Sequence, residues 1–293
     1  VVSDKVAWDV RGKTILVTGA TSGIGLEASV ELARRGARVV MVGRDHRKTE
    51  TAEAEVRARS GSRDVSHLMC ELSSQASIRG LAAAYRAKHE RLDVLVNNAG
   101  GVNKTRLLSA DGIEMTFAVN HLASFLLTSL LLDLLRASAP ARVVTVASVG
   151  HRRGTLDFAD LGFERGYAIM TAYARSKLAN VLFAAELSRR LAGSGVTSNS
   201  LHPGAVATNI WSGAPGWAKP IIHLFFKPFF ISAELGGANL VRLVASPELD
   251  GVTGQYFEQA ARANPARLAR DEALARRLWD VSAELTGLVV AHA

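Results

Sequence analysis

Cysteine is almost missing from this chain. Cys70 is the only one in 293 residues, which excludes an internal disulfide and any cysteine cluster for a metal, and fits a reducing, cytoplasmic setting. No metal site is expected. Internal repeats, low-complexity tracts and linkers are lacking too, so the sequence reads as one domain over 1–293 with a short N-terminal tail over 1–11. The opening VVSDKVAWDV mixes charge with apolar side chains and does not read as a secretory signal, although a chain that starts without Met leaves upstream processing open.

Concentrated charge is absent as well. Lys and Arg outnumber Asp and Glu by 35 to 27, a formal charge of +8, but the Arg residues are scattered on helix faces such as Arg34-Arg35 and Arg276-Arg277. They read as a solvated surface or as help for an anionic ligand; with no basic patch or aromatic platform, no nucleic-acid partner is expected. Met115 to Leu132 carries no formal charge and has the length of a membrane span, yet Asn120, His121 and several Ser and Thr within it favour a buried helix.

What is present begins at Lys13, with KTILVTGATSGIG. Ile15, Leu16 and Val17 form the short apolar run of a strand buried on both faces of a parallel sheet, and Thr18-Gly19 starts a turn. Gly19 permits the turn, Gly23 lets a phosphate approach the backbone, and Gly25 lets the following helix lie close on the sheet. Free N–H groups at that helix start would face a pyrophosphate. A glycine triplet also suits the strand-to-helix turn of any α/β protein.

A helix to Arg35 and a strand Arg38–Val42 complete a β-α-β rhythm. An acid at the end of that second strand would grip a ribose 2′-hydroxyl; Gly43-Arg44 stands there instead. A guanidinium suits a 2′-phosphate, and the missing carboxylate removes a repulsion, though Arg44 also reads as an ordinary exposed Arg and Asp45 follows it. A polar helix over 46–60, a strand His67–Cys70, a helix capped by Ser73-Ser74 and a strand Val94–Val96 lead to Asn97-Asn98-Ala99-Gly100. A core helix is expected over Ile113–Leu135, a fifth strand over Arg142–Ala147 ending at Ser148, and a helix over Thr171–Leu191. Tyr173 and Lys177, at i and i+4, share one face of that helix. A sixth strand, Thr197–Leu201, a helix Ser232–Val244, a last strand Gln255–Phe257 and an amphipathic helix Arg267–Leu285 close the chain.

Thr18-Gly19 with Gly23-Ile24-Gly25, the Asn-Asn-Ala-Gly turn, Ser148 and the Tyr173/Lys177 pair together resemble the short-chain dehydrogenase/reductase family. The interval of 25 positions from Ser148 to Tyr173, AVNHLASFLLTSLLLDLL and YARSKLANVLF resemble its retinol-dehydrogenase-like branch, including bacterial oxidoreductases. The resemblance, over roughly residues 10–288, implies a Rossmann-like, doubly wound α/β fold: a seven-stranded parallel sheet in three α/β/α layers, with a short substrate lid over 209–231.

The same resemblance implies NADP(H), held by Gly19, Thr21, Ser22, Gly23 and Ile24 at the diphosphate and by Arg44 at the 2′-phosphate. Glu71 and Leu72 would meet the adenine, where most relatives carry Asp in place of Glu71. Asn98, Ala99 and Gly100 would lie against a ribose, and Pro203, Gly204, Val206 and Thr208 would clamp the nicotinamide. Tyr173 would pass a proton to or from an apolar ketone, aldehyde or alcohol; Ser148 would hold the same oxygen, Lys177 the nicotinamide ribose, and Asn120 a water. A nearby ammonium is expected to lower the phenol pKa. A non-catalytic NADP(H)-binding sensor or scaffold is the rival, and an intact proton relay argues against it.

His151 reads as a structural or substrate-facing loop residue rather than a catalytic one. For the aromatic stretch 211–231, three readings stay open: a cover over an apolar substrate, packing against the core or another subunit, or peripheral contact with a membrane interface. The resemblance also makes a homo-oligomer through the two long helices possible, and leaves assembly open because relatives in this branch vary.

Overall fold

Short apolar runs buried on both sides build the sheet. In the computed structural model, which describes residues 8–206 and 230–288, these are β1 (Thr14–Thr18), β2 (Arg38–Gly43), β3 (Val65–Met69), β4 (Val94–Asn97), β5 (Ala141–Val146) and β6 (Val196–His202). After β7 (Ala205–Val206) and β8 (Phe230–Ile231), which among the described residues pair with each other, come β9 (Tyr256–Glu258) and β10 (Ala261–Ala263). The order across the sheet is β10-β9-β6-β5-β4-β1-β2-β3.

Seven of these strands are parallel, as expected; the eighth, β10, folds back antiparallel on β9. The seven-strand expectation is thus corrected by one. A three-residue strand such as Ala261–Ala263, AlaArgAla, has no apolar run to betray it, since it lies at an edge with one neighbour.

Alternation along the strands divides the core in two. Ile15, Val17, Val39, Met41, Val96 and Val144 face α1 (Gly23–Arg34) and α8 (Ala233–Ala245), whereas Leu16, Val40, Leu95 and Val143 face the opposite layer. That layer holds α3 (Gln75–Lys88), α5 (Ala123–Leu130) and α7 (Ile169–Arg190), so the sheet is sandwiched as expected. The amphipathic α9 (Glu272–Leu285) lies on α7 and α5, with Trp279 against Phe125 and Phe183 and Leu278 buried.

Two local expectations change. The long helix over Ile113–Leu135 becomes α4 (Met115–Phe117), a widened π turn over Ala118–Leu122, α5, and α6 (Leu132–Ala137). Most of its apolar residues are buried, and among the described residues no helix is long and apolar enough to cross a membrane. The tail expected over 1–11 is described from residue 8, and there it packs on the domain. Trp8 is buried, its indole N–H donates to the carbonyl of Val244 at 2.8 Å, and Arg142 stacks on its ring. Only the aromatic type of Trp8 hinted at this.

The chain leaves β1 toward β2 and β3, then returns to β4 on β1's other side. A crevice at the carboxyl ends of β1 and β4, the place where the winding reverses, is where an open sheet of this kind receives a ligand. The lid expectation over 209–231 falls outside the described residues except for β8.

Candidate active site

At the β1 end of the crevice the backbone does most of the shaping. Gly19 has φ 64°, and a methyl group on Gly25 would stand 2.3 Å from the carbonyl oxygen of Gly19 and 2.5 Å from Nδ2 of Asn98. The α1 helix begins at Gly23, with Ser22 extended before it; the Ser22 hydroxyl does not cap the helix, and the first turn has no acid. Its N–H groups and positive dipole end are thus open to an anion. Asn98 closes the far wall, donating from Nδ2 to the carbonyls of Thr18 (2.8 Å) and Gly19 (3.1 Å). Thr18 Oγ1 in turn accepts the N–H groups of Asn98 and Ala99. The Gly turn and the Asn-Asn-Ala-Gly turn are one hydrogen-bonded unit.

Thr21 and Ile24 flank this turn, partly buried. Arg44 is exposed at the end of β2 and makes no ion pair with another described residue. Asp45, which stood against a phosphate there, spends its carboxylate on the N–H of Lys48 at 2.9 Å as the cap of α2 (His46–Ser60). Glu71 accepts the Ser73 N–H and hydroxyl at 3.0 and 2.9 Å, holding its own turn, and Leu72 packs on the core. These residues fit a phosphorylated dinucleotide: a cradle that a Cβ would fill, an uncapped helix start and an unpaired guanidinium.

The four residues expected to carry chemistry converge at the other end. Ser148 follows β5, and its Oγ accepts the Gly150 N–H at 3.1 Å, leaving its O–H free to donate. Ser148 and Tyr173 meet at Gly150, where a methyl group would lie 3.4 Å from both Ser148 Oγ and Tyr173 Cε1. Lys177, 4% exposed, donates from Nζ to the Val146 carbonyl at 3.0 Å. Asn120 sits in the π turn, fully buried. Its Nδ2 donates to Gly101 O and Ser176 Oγ at 3.0 and 2.9 Å, and its Oδ1 accepts the Gly101 N–H at 2.8 Å. The widened turn is what lets this side chain reach across to the loop after β4, and it leaves one lone pair of Oδ1 for a water. A methyl on Gly100 would touch Asn120 Oδ1 at 3.1 Å and Lys177 Nζ at 3.4 Å.

One electrostatic expectation is reversed. Burial pushes the Tyr173 phenol up, with the Ser148 hydroxyl pulling the other way, and Lys177 supplies no lowering. The ammonium turns to the Val146 carbonyl and stays 5.7 Å from the ring centroid. Lys177 itself is lowered to about 8 by desolvation. At neutral pH this leaves a protonated phenol, which suits proton donation.

Several supporting residues carried no signal in the sequence. Arg175, inside the Tyr-Ala-Arg-Ser-Lys string, is buried and donates to the carbonyls of Thr155, Asp160 and Leu161 while stacking on Phe163. It gathers the segment between Ser148 and Tyr173 into one loop, with Phe163 at φ 52°. Nδ2 of Asn239 on α8 donates to the Pro203 carbonyl at 3.0 Å, and the β7–β8 ladder pins the buried Gly204 and the backbone of Val206. Thr208 lies outside the described residues. His151 is fully buried, which removes its substrate-facing reading. Among the described residues no group of three or more side chains is arranged to hold a metal.

A family model for short chain dehydrogenase matches residues 13–218. The chain is 44% identical over 288 residues to human retinol dehydrogenase 13, covering 95% of this chain and 86% of that protein. Among solved structures it is similar to an uncharacterised protein from Mycobacterium paratuberculosis, with TM-score 0.78 and 32% identity over 97% of this chain and 96% of that one. It is also similar to the Pseudomonas aeruginosa RhlG/NADP active-site complex, with TM-score 0.69 and 27% identity over 85% and 95% of the two chains.

Proposed function

The chain belongs to the short-chain dehydrogenase family, in its retinol-dehydrogenase-like branch, and on that premise we propose that it is an NADP(H)-dependent oxidoreductase of apolar carbonyls and alcohols with Tyr173 as proton carrier. The observation that carries the reading is the meeting of Ser148, Tyr173, Lys177 and Asn120 at the carboxyl edge of the sheet, opposite a phosphate-shaped helix start.

When bound, NADP(H) supplies or accepts the hydride. The Ser148 O–H donates to the substrate oxygen and steadies charge developing there, while Tyr173 gives that oxygen its proton in reduction or takes it in oxidation. A raised phenol pKa favours reduction near neutrality and asks for alkaline conditions in the reverse direction. Lys177 would hold the nicotinamide ribose, and Asn120 with a water would complete the proton path. Arg44, whose neighbour Asp45 turns its carboxylate to the Lys48 N–H, supports the phosphorylated cofactor; RhlG was solved with NADP.

The substrate side is apolar. Val149, directly after Ser148, and Ile169 and Met170, one turn before Tyr173 on α7, are exposed there. Relatives named for retinol make a long polyene aldehyde the first probe. The purified protein is expected to oxidise NADPH when all-trans-retinal is added. Tyr173→Phe should lower kcat by about a thousandfold, within the range of a lost general acid, with NADPH affinity nearly intact. Unchanged turnover in that variant removes the mechanism, and no NADPH oxidation with retinal or other bulky apolar carbonyls favours a sensor or scaffold.

A further inference from the structure

His151 lies three residues after Ser148 in a 3₁₀ turn, Val149–Arg153, and is fully buried. Its ring has two partners on opposite sides. Nδ1 is 2.7 Å from the Ser148 carbonyl oxygen, and Nε2 is 3.0 Å from the backbone nitrogen of Ala266, 115 residues away. The chemistry of those partners fixes the ring. A backbone N–H can only donate, so Nε2 is the acceptor and carries no proton. A carbonyl can only accept, so the proton is on Nδ1. The imidazole is therefore neutral and in one tautomer.

The Ser148 carbonyl also accepts the His151 backbone N–H at 3.0 Å, so one residue grips it twice. On the other side the ring packs edge-on to Tyr256 of β9 at 4.7 Å. Arg152 adds a parallel tie, pairing with Glu258 at 2.6 Å and donating to the Asn264 carbonyl at 3.0 Å. The turn bearing Ser148 is thus fastened to the far edge of the sheet. Ser148 Oγ must meet the same substrate oxygen as Tyr173, and displacements near 1 Å at such a contact cost large factors in rate.

We propose that His151 is a positioning residue: its neutral imidazole, fixed in one tautomer by the Ala266 N–H, donates to the Ser148 carbonyl and so sets where the Ser148 hydroxyl stands relative to Tyr173. The proposal rests on the reading of Ser148 and Tyr173 given above.

Two substitutions separate the two bonds. The Asn amide nitrogen falls where Nδ1 was and keeps the donor to Ser148, while the Gln amide oxygen reaches the place of Nε2 and keeps the acceptor for Ala266. With all-trans-retinal and NADPH, His151→Gln should lower kcat about tenfold or more with the KM for NADPH little changed, and His151→Asn should recover most of that loss. Nitrogen NMR of the imidazoles in the wild-type protein should show a non-titrating Nδ1–H tautomer that vanishes in either variant. Equal losses in the two variants, a wild-type rate in His151→Gln, or an Nε2–H tautomer for His151 would overturn the proposal. A wild-type protein that leaves retinal and NADPH unchanged fails the activity reading alone. Crystal structures then decide the positioning role: Ser148 Oγ should shift away from Tyr173 in His151→Gln and hold its place in His151→Asn, and an unmoved Ser148 in both would refute it.

Discussion

The two ends of the crevice are made of different material. At the β1 end, glycines and main-chain N–H groups form the surface, and the close fit of Gly25 under Gly19 serves folding and cofactor shape together. At the β5 end, the surface is side chains, and one of them, Lys177, is a buried cation that no carboxylate answers among the described residues. The first end is intolerant of added atoms. The second holds groups whose burial works against the fold, as sites that keep chemistry ready often do. Changes of opposite kind should therefore have opposite effects on stability.

The largest effect is expected from adding one methyl group. In Gly25→Ala the new Cβ would overlap the Gly19 carbonyl at 2.3 Å, and because that atom is backbone, the turn or the helix must move. Overpacking of this sort costs about 3 kcal/mol or more, divided between folding and nucleotide affinity. Thermal unfolding and NADPH fluorescence titration would both register it. A variant with wild-type melting and wild-type NADPH affinity would show that the tight approach is not what shapes this end.

Lys177→Met makes the converse point. The ordinary Lys value is 10.5 and the folded value about 8. Below pH 8 both folded and unfolded chains hold the proton, so stability has no slope from this group and carries the full cost of a buried charge. Between 8 and 10.5 only the unfolded chain holds it, so stability rises with pH until the cost is gone, by up to ~3 kcal/mol. Nucleotide-free Lys177→Met should lack that rise relative to wild type and be the more stable of the two below pH 8, while losing activity. Parallel pH–stability curves for the two proteins would mean that the ammonium is better solvated than its burial implies.

This division also explains what could be read in advance. The glycine turn, the Asn-Asn-Ala-Gly turn and the Tyr173/Lys177 spacing are short strings whose residue types are demanded by local geometry, so fold and candidate site were legible from them. Ser148 was found through its place at a strand end. Arg175, His151 and Asn239 gave no such cue: each is a polar side chain spent on backbone carbonyls or N–H groups of a segment that only the folded chain brings near. The π turn at Asn120 hid for a related reason, since the helical pattern of apolar residues runs straight through it. The direction of the Tyr173 shift was misjudged because spacing on a helix says that two groups are neighbours and says nothing of how much water burial removes.

The smallest effect should come from an exposed side chain at the β1 end. Arg44 is held by no described carboxylate, and Asp45, its neighbour, is turned to Lys48 as a helix cap, so a 2′-phosphate there would meet one guanidinium and little repulsion. A charge-assisted hydrogen bond at an exposed position is worth about 1.5 kcal/mol, which is roughly tenfold in affinity. Arg44→Ala should therefore weaken NADPH by about that factor and leave NADH nearly unchanged, with melting of the nucleotide-free protein unaffected because the side chain supports nothing in the fold. Salt should narrow the gap between wild type and variant, since the contact is open to solvent. Equal losses for the two cofactors would place the discrimination elsewhere, and a variant that favours NADH would show that Arg44 alone separates them.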